Sequence, residues 1–387
     1  MARLLFVVPP LAGHVNPTVG VAKALMDAGH AVAWVGVASK IKTLLAADAQ
    51  LIPVDESQIA QLSENWYTKS QSVFGLESFK FFYEDFLVPL GHAMVDSVDR
   101  AVQDFKPDLI ICDQQALAGW VVARKRNIRW VTSATTPAAV FNPLEQFPKV
   151  KEWMEDQLGK FQDHYQLERR QRPDLSEELV VIFTISKLVG EQKEMPERFR
   201  FVGPSLRQEL RQESFPWEKL NTTQKKIYVS LGTVNATRSA KFYEKVKEAF
   251  TGKDLQIIMS APPEMLGETA DNFIVQKSVP QLELLKKMDA VIFHGGQNTF
   301  IESLNNGLPV VVAPIKDDQP VIAEQVVRCG VGIRIHFDRV KSADIYEATR
   351  KVLIESQFVK NAKEVQALLA KSGGAAQAAN LIMKLLV

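Results

Sequence analysis

Short apolar runs recur along the chain and are separated by longer stretches of helical, charged patterning. In the first half they are Leu4–Val8, Ala31–Val37, Lys106–Asp113, Trp130–Ser133 and Val180–Thr184. In the second half they are Lys226–Ser230, Leu255–Ser260, Phe273–Val275, Ala290–Phe293 and Leu308–Ala313. The runs are continuously apolar rather than alternating, as strands are when both faces of a parallel sheet are covered. Between them, Asn16 as N-cap, Pro17 as first residue and Gly29 as terminator predict a helix from Pro17 to Ala28. Further helices are predicted at Val88–Asp104 and Leu282–Lys287. The pattern is that of an α/β chain built from βαβ units.

The same order of elements occurs twice, which divides the chain. The boundaries read as an N-terminal domain over 1–204, a charged linker with Pro216 over 205–223, and a C-terminal domain over 224–360. A length of 387 residues suits two domains.

Candidate chemistry collects where apolar runs end. Ala290–Phe293 stops at His294-Gly295-Gly296 and a helical pattern starts at once. A strand, a glycine turn and a helix N-terminus make a cradle for phosphate, because free amides and the positive end of the helix dipole face outward there. Asn298 and Thr299 lie in the first turn and suit phosphate oxygens, and Glu302, one turn beyond Asn298, suits a sugar diol. Asp318 and Gln319, after the next strand, offer groups for the hydroxyls of another sugar. Ser230-Leu231-Gly232-Thr233 is a second, weaker small-residue turn. The first strand lacks the G-x-G-x-x-G spacing of dinucleotide sites, which argues against a nicotinamide or flavin dehydrogenase.

In the first half, the loop carrying His14 follows the first strand and Asp113 closes a later one, so both belong to one edge of the sheet. Together they fit a base with its orienting carboxylate, whereas Asp113 alone reads equally well as a turn or helix-cap residue. Phe79, Phe82, Tyr83 and Phe86 share one face of a helix, which is either ordinary core or the wall of a pocket for a flat, greasy molecule.

Composition changes little in this picture and removes some classes. Lys+Arg and Asp+Glu are 46 and 45, so no basic excess points to nucleic acid or an anionic membrane. Two cysteines far apart, Cys112 and Cys329, form neither a disulfide framework nor a metal site and fit a reducing compartment. No apolar run is long enough to span a bilayer, and Leu4–Pro10 reads as a buried strand rather than a signal peptide, so a cytoplasmic location is expected. No D-x-D carboxylate pair is present to hold a divalent metal on a diphosphate, so no metal site is expected.

With these residues in place the chain resembles the nucleotide-sugar-dependent glycosyltransferases of the UDP-glycosyltransferase superfamily, in the style of bacterial macrolide-, aglycone- and carotenoid-glycosylating members. The likeness runs through Gly13-His14, Asn16-Pro17, Asp113, Val202-Gly203-Pro204, Ser230–Thr233, Val279-Pro280-Gln281 and the block from His294 to Gln319. It implies the GT-B fold: two Rossmann-like β/α/β domains facing each other across a cleft, with a C-terminal helix over 361–387 crossing back to the first domain. It also implies an inverting, metal-independent hexosyltransferase without a cofactor. Its partners would be a small lipophilic or aromatic acceptor and a nucleotide-sugar co-substrate, UDP-glucose being favoured over a dTDP-sugar. His14 would be the general base and Asp113 its counter-charge. Thr233, His294, Gly296, Asn298 and Thr299 would hold the diphosphate and Glu302 the ribose. Val279 and Gln281 would border the base, and Asp318 and Gln319 the donor sugar; Phe79, Phe82, Tyr83 and Phe86 are the acceptor-side candidates. Ser278 stands where many members carry an aromatic that stacks on the base. Rival readings are a nucleotide-sugar epimerase of the same fold, against which the His14–Asp113 pair speaks, and a non-catalytic partner protein, which would be expected to lose these residues.

Overall fold

The computed structural model describes the chain except residues 71, 72, 74, 142–146, 191–194, 207–213, 233–235, 317 and 387, and leaves out the side chains of 63, 65–68, 70, 138, 139 and 236–238. The chain divides into two compact units, Met1–Gln208 with Ser372–Val387, and Glu209–Lys371. No described helix is long and apolar enough to cross a membrane.

The first unit holds a parallel sheet of β1 (Arg3–Val7), β2 (Ala31–Gly36), β3 (Gln50–Pro53), β4 (Leu109–Asp113), β5 (Trp130–Ala134), β6 (Val180–Ile182) and β7 (Phe199–Phe201). Its order is β3-β2-β1-β4-β5-β6-β7. Leu4, Leu5, Phe6 and Val7 are all buried, because the two faces of β1 feed different cores. Leu5 and Val7 join Met94, Val98 and Ile110, whereas Leu4 and Phe6 join Leu25, Trp34 and Ile111. Helices cover both faces, the arrangement that permits an all-parallel sheet.

The second unit repeats the plan with β8 (Lys225–Ser230), β9 (Leu255–Ser260), β10 (Phe273–Gln276), β11 (Ala290–Phe293), β12 (Val310–Val312) and β13 (Gly332–Arg334), in the order β10-β9-β8-β11-β12-β13. Both units are therefore doubly wound and Rossmann-like. In each, the strand order reverses once, between β1 and β4 and between β8 and β11. Such a reversal opens a crevice beyond the strands' carboxyl ends.

Beyond β3, β7 and β13, which no apolar run announced, three differences from the sequence expectation matter here. The first helix spans Ala12–Asp27, not Pro17–Ala28, because the amides of His14 and Val15 already bond the Leu11 carbonyl at 2.9 and 3.2 Å. His14 thus sits in a helical first turn, and Asn16 and Pro17 lie inside the helix. The aromatic stretch is not one α-helix: Gly75–Phe81 is α-helical, Phe82–Leu87 is π-helical, and an α-helix resumes over Val88–Phe105. The wider π turn alters the spacing of the shared face, and Phe86, 2% exposed, enters the core beside Leu90 and Met94.

The third is the segment 361–387, which is two helices rather than one. Ser356–Lys371 stays with the second unit, where Ala362, Val365 and Leu369 are buried and Asn361 Nδ2 and Gln366 Nε2 donate to the Gly330 and Asn305 carbonyls. Gly373 and Gly374, with φ of 86° and 52°, break the helix, and Gly374–Met383 packs on Ala12–Asp27. Val202-Gly203-Pro204 receives this return: the Gly374 amide donates to the Val202 carbonyl at 2.7 Å. A Cβ on Gly203 would lie 1.7 Å from Ser372 Oγ.

Candidate active site

In the first unit the site grows from the carboxyl ends of β1 and β4. β1 delivers the chain to the turn at Pro9-Pro10, and the helix that follows presents His14, whose side chain is 12% exposed. β4 ends in Asp113, which is fully buried. His14 Nδ1 lies 2.9 Å from Asp113 Oδ1. Asp113 Oδ1 also accepts from the Gln115 amide at 2.8 Å, and Oδ2 accepts from Thr135 Oγ1 at 2.7 Å. Thr135 Oγ1 is in turn 2.7 Å from His14 Nδ1. The donors around the carboxylate and the acceptors around Nδ1 put the imidazole proton on Nδ1 and leave the Nε2 lone pair available. Thr135 was not singled out in the sequence, although it belongs to the polar Thr132–Thr136 segment after β5. Nothing local distinguishes it from its neighbours.

In the second unit the corresponding edge carries the glycine turns. The His294 ring is enclosed by two glycines: a Cβ on Gly232 or on Gly296 would lie 2.8 Å from its Cε1. Its Nδ1 is 3.4 Å from the Ser230 carbonyl. Burial lowers the His294 pKa to about 4, so the ring is neutral near pH 7 and Nδ1–H faces that carbonyl. Gly295, at φ 94°, holds the turn, and Gly296 opens the helix Gln297–Asn305. Among the described residues no side chain caps this helix, so its first amides keep their donor capacity there and its dipole its positive end. Asn298 in that turn is exposed. Thr233 lies outside the described residues.

Deeper in the helix, Thr299 is buried and Glu302 is half-buried. Gln281 Nε2 donates to Glu302 Oε2 at 2.6 Å and lies 3.5 Å from Thr299 Oγ1, while Gln281 Oε1 accepts from Tyr228 at 2.7 Å. Both polar ends of Gln281 are thus engaged with protein groups, and Val279 beside it is buried. Burial raises the Glu302 pKa to about 7, against the opposing hydrogen bond from Gln281. Tyr228 lay inside an apolar strand run and, like Thr135, gave no signal in the sequence.

Asp318 precedes the helix Gln319–Arg328, and its carbonyl accepts from the Val321 amide at 3.0 Å. Gln319 Oε1 accepts from the amides of Ile315 and Lys316 at 2.7 and 3.0 Å, while its NH2 group takes no hydrogen bond among the described residues. On the acceptor side, Phe79, Phe82 and Tyr83 are half-buried. Phe79 and Tyr83 pack at 4.9 Å and both meet Trp153. Phe82 packs on Phe86, which is core and reaches no surface. Among the described residues, no group of three or more His, Cys, Asp or Glu is placed to hold a metal ion.

The arrangement can be set beside known proteins. The family described as UDP-glucoronosyl and UDP-glucosyl transferase matches residues 207–370. The chain is 28% identical to the NDP-glycosyltransferase YjiC of Bacillus subtilis (strain 168), over 96% of this chain and 94% of that one. It is 24% identical to the 4'-demethylrebeccamycin synthase of Lentzea aerocolonigenes, over 98% and 99%. The crystal structure of the glycotransferase of kitacinnamycin superposes with a TM-score of 0.78 at 24% identity, over 99% and 98% of the two chains, and agrees in fold. Residues 207–370 thus match the UDP-glucoronosyl and UDP-glucosyl transferase family, and over its whole length the chain is similar to glycosyltransferases of the UDP-glycosyltransferase superfamily, whose GT-B fold it shares.

Proposed function

We propose that the protein is an inverting glycosyltransferase moving a hexose from a nucleoside-diphosphate sugar, UDP-glucose being favoured, to a hydroxyl of a small lipophilic or aromatic acceptor. The observation that carries this reading is the His14–Asp113–Thr135 cluster, a base whose Nδ1 is occupied and whose Nε2 takes no hydrogen bond among the described residues. In the reaction Nε2 takes the acceptor's hydroxyl proton as the oxygen attacks the anomeric carbon. The bond from that carbon to the diphosphate oxygen breaks, and the leaving electron pair stays on the diphosphate. Asp113 stabilises the imidazolium formed, and the amides opening Gln297–Asn305 stabilise the leaving charge without a metal. Glu302 holds the ribose, and Asp318 with the Gln319 NH2 group holds the donor sugar. The similarity to the 4'-demethylrebeccamycin synthase of Lentzea aerocolonigenes supports a natural-product acceptor.

The direct test is incubation with UDP-glucose and a panel of phenols and hydroxylated polyketides, followed by mass spectrometry. A hexose mass gain with inverted configuration is expected. A gain with dTDP-glucose alone would reassign the donor, and no gain with either donor would end this reading.

Two smaller effects should accompany it. Thr135→Val removes one donor from Asp113 and one acceptor from His14, and should lower kcat about tenfold. The acidic limb of the kcat–pH profile should shift, while UDP affinity stays constant. Separately, Glu302 changes charge near pH 7, and only its ionised form accepts two hydroxyl protons. UDP affinity should therefore rise as pH increases through about 7, and calorimetry on Glu302→Gln should show this rise removed.

A further inference from the structure

Glu302 is only as useful to a ribose as its orientation allows, and that orientation is set from beneath. The alternation of β8 sends Ile227 and Val229 into one core and Tyr228 and Ser230 to the opposite face. There Tyr228 is 1% exposed. Ser230, two residues on, pairs with Ser260 across β8 and β9. The phenol proton is directed to Gln281 Oε1, 2.7 Å away, an atom that can only accept. A side-chain amide has one acceptor end and one donor end. Fixing the carbonyl of Gln281 on Tyr228 therefore turns its NH2 group to Glu302 Oε2, 2.6 Å away. Glu302 Oε1 takes no hydrogen bond among the described residues.

We propose that Tyr228 is a positioning residue for nucleotide binding, acting through Gln281 to hold the Glu302 carboxylate in the orientation that accepts ribose hydroxyls. This rests on the reading of Glu302 as the ribose site, and it gives Gln281 an orienting role beneath that carboxylate. Without the phenol hydroxyl, the Gln281 amide is free to turn. Its carbonyl then faces Glu302, which repels the carboxylate and moves it off the diol.

The test uses the full chain, with UDP and 2′-deoxy-UDP as probes in calorimetry. The wild type should bind UDP about tenfold more tightly than 2′-deoxy-UDP, and Tyr228→Phe should reduce that ratio to about threefold. The donor KM should rise with kcat and acceptor KM unchanged, a split that general damage to the core would not produce. A wild-type ratio of one would remove the ribose reading itself. A wild-type ratio near ten that Tyr228→Phe leaves intact would overturn the positioning role alone. Gln281→Met provides a second check that does not depend on how well the phenylalanine variant folds. If Tyr228 acts through Gln281, adding Tyr228→Phe to Gln281→Met should cost nothing further, and additive losses would refute the proposal.

Discussion

His14→Ala should lower turnover on the order of a thousandfold while leaving UDP affinity unchanged. The split follows from where the residue sits. His14 belongs to the first unit, where its ring meets Asp113 and Thr135. Asp113 is fully buried and receives the Gln115 amide and the Thr135 hydroxyl, an arrangement that holds its carboxyl group against Nδ1. Nε2 is then the basic atom left for an acceptor hydroxyl. A further consequence separates base catalysis from simple damage. An acceptor with a more acidic hydroxyl needs less help in losing its proton, so the loss in His14→Ala should shrink for a nitrophenol compared with an aliphatic alcohol. Turnover that is unchanged, or a loss equal for both acceptors, would exclude His14 as the base.

Gly296→Ala should do the opposite, weakening UDP binding by roughly tenfold to a hundredfold, which is about 1–3 kcal/mol of overpacking at the ring. Gly296 has φ −69° and ψ 133°, a conformation alanine adopts without strain, so the backbone itself raises no objection. The obstacle is His294. The new methyl would lie 2.8 Å from both Cε1 and Nε2, and the ring's surroundings are tight elsewhere too, since a Cβ at Gly232 would come equally close to Cε1. Either the imidazole turns out of its position against the Ser230 carbonyl or the first amides of the helix are displaced. Both changes remove groups from a bound diphosphate. Calorimetry with UDP reads the effect, and a thermal melt close to that of the wild type would locate the damage in the site. Normal UDP affinity in this variant would show that the turn after β11 does not cradle the phosphates.

These two variants divide the machinery between chemistry and binding, and they differ in how visible their targets were. The strands were legible because a buried parallel strand needs a continuous apolar run, and Leu4–Val7, Leu255–Ser260 and Ala290–Phe293 supply it over a few adjacent residues. His294 and Glu302 were legible for a similar reason, since a glycine turn opening a helix is a local device. His14 and Asp113 needed one step more, namely the rule that parallel strands of one sheet present their carboxyl ends together.

By itself, then, the sequence determined the two α/β units, the strand ends where polar groups gather, and the pairing of His14 with Asp113, because each follows from local apolar patterning plus the geometry of parallel sheets. Only the tertiary structure decided the hydrogen-bond partners that complete those groups. Thr135 reaches His14 across 121 positions, and Tyr228 reaches Gln281 across 53. The tertiary structure also started the first helix at Ala12, turned Phe86 into the core through a π-helical stretch, and ended a helix at Gly373. In every case the deciding contact is made by residues far apart in the chain or by backbone geometry that hydrophobic periodicity does not encode.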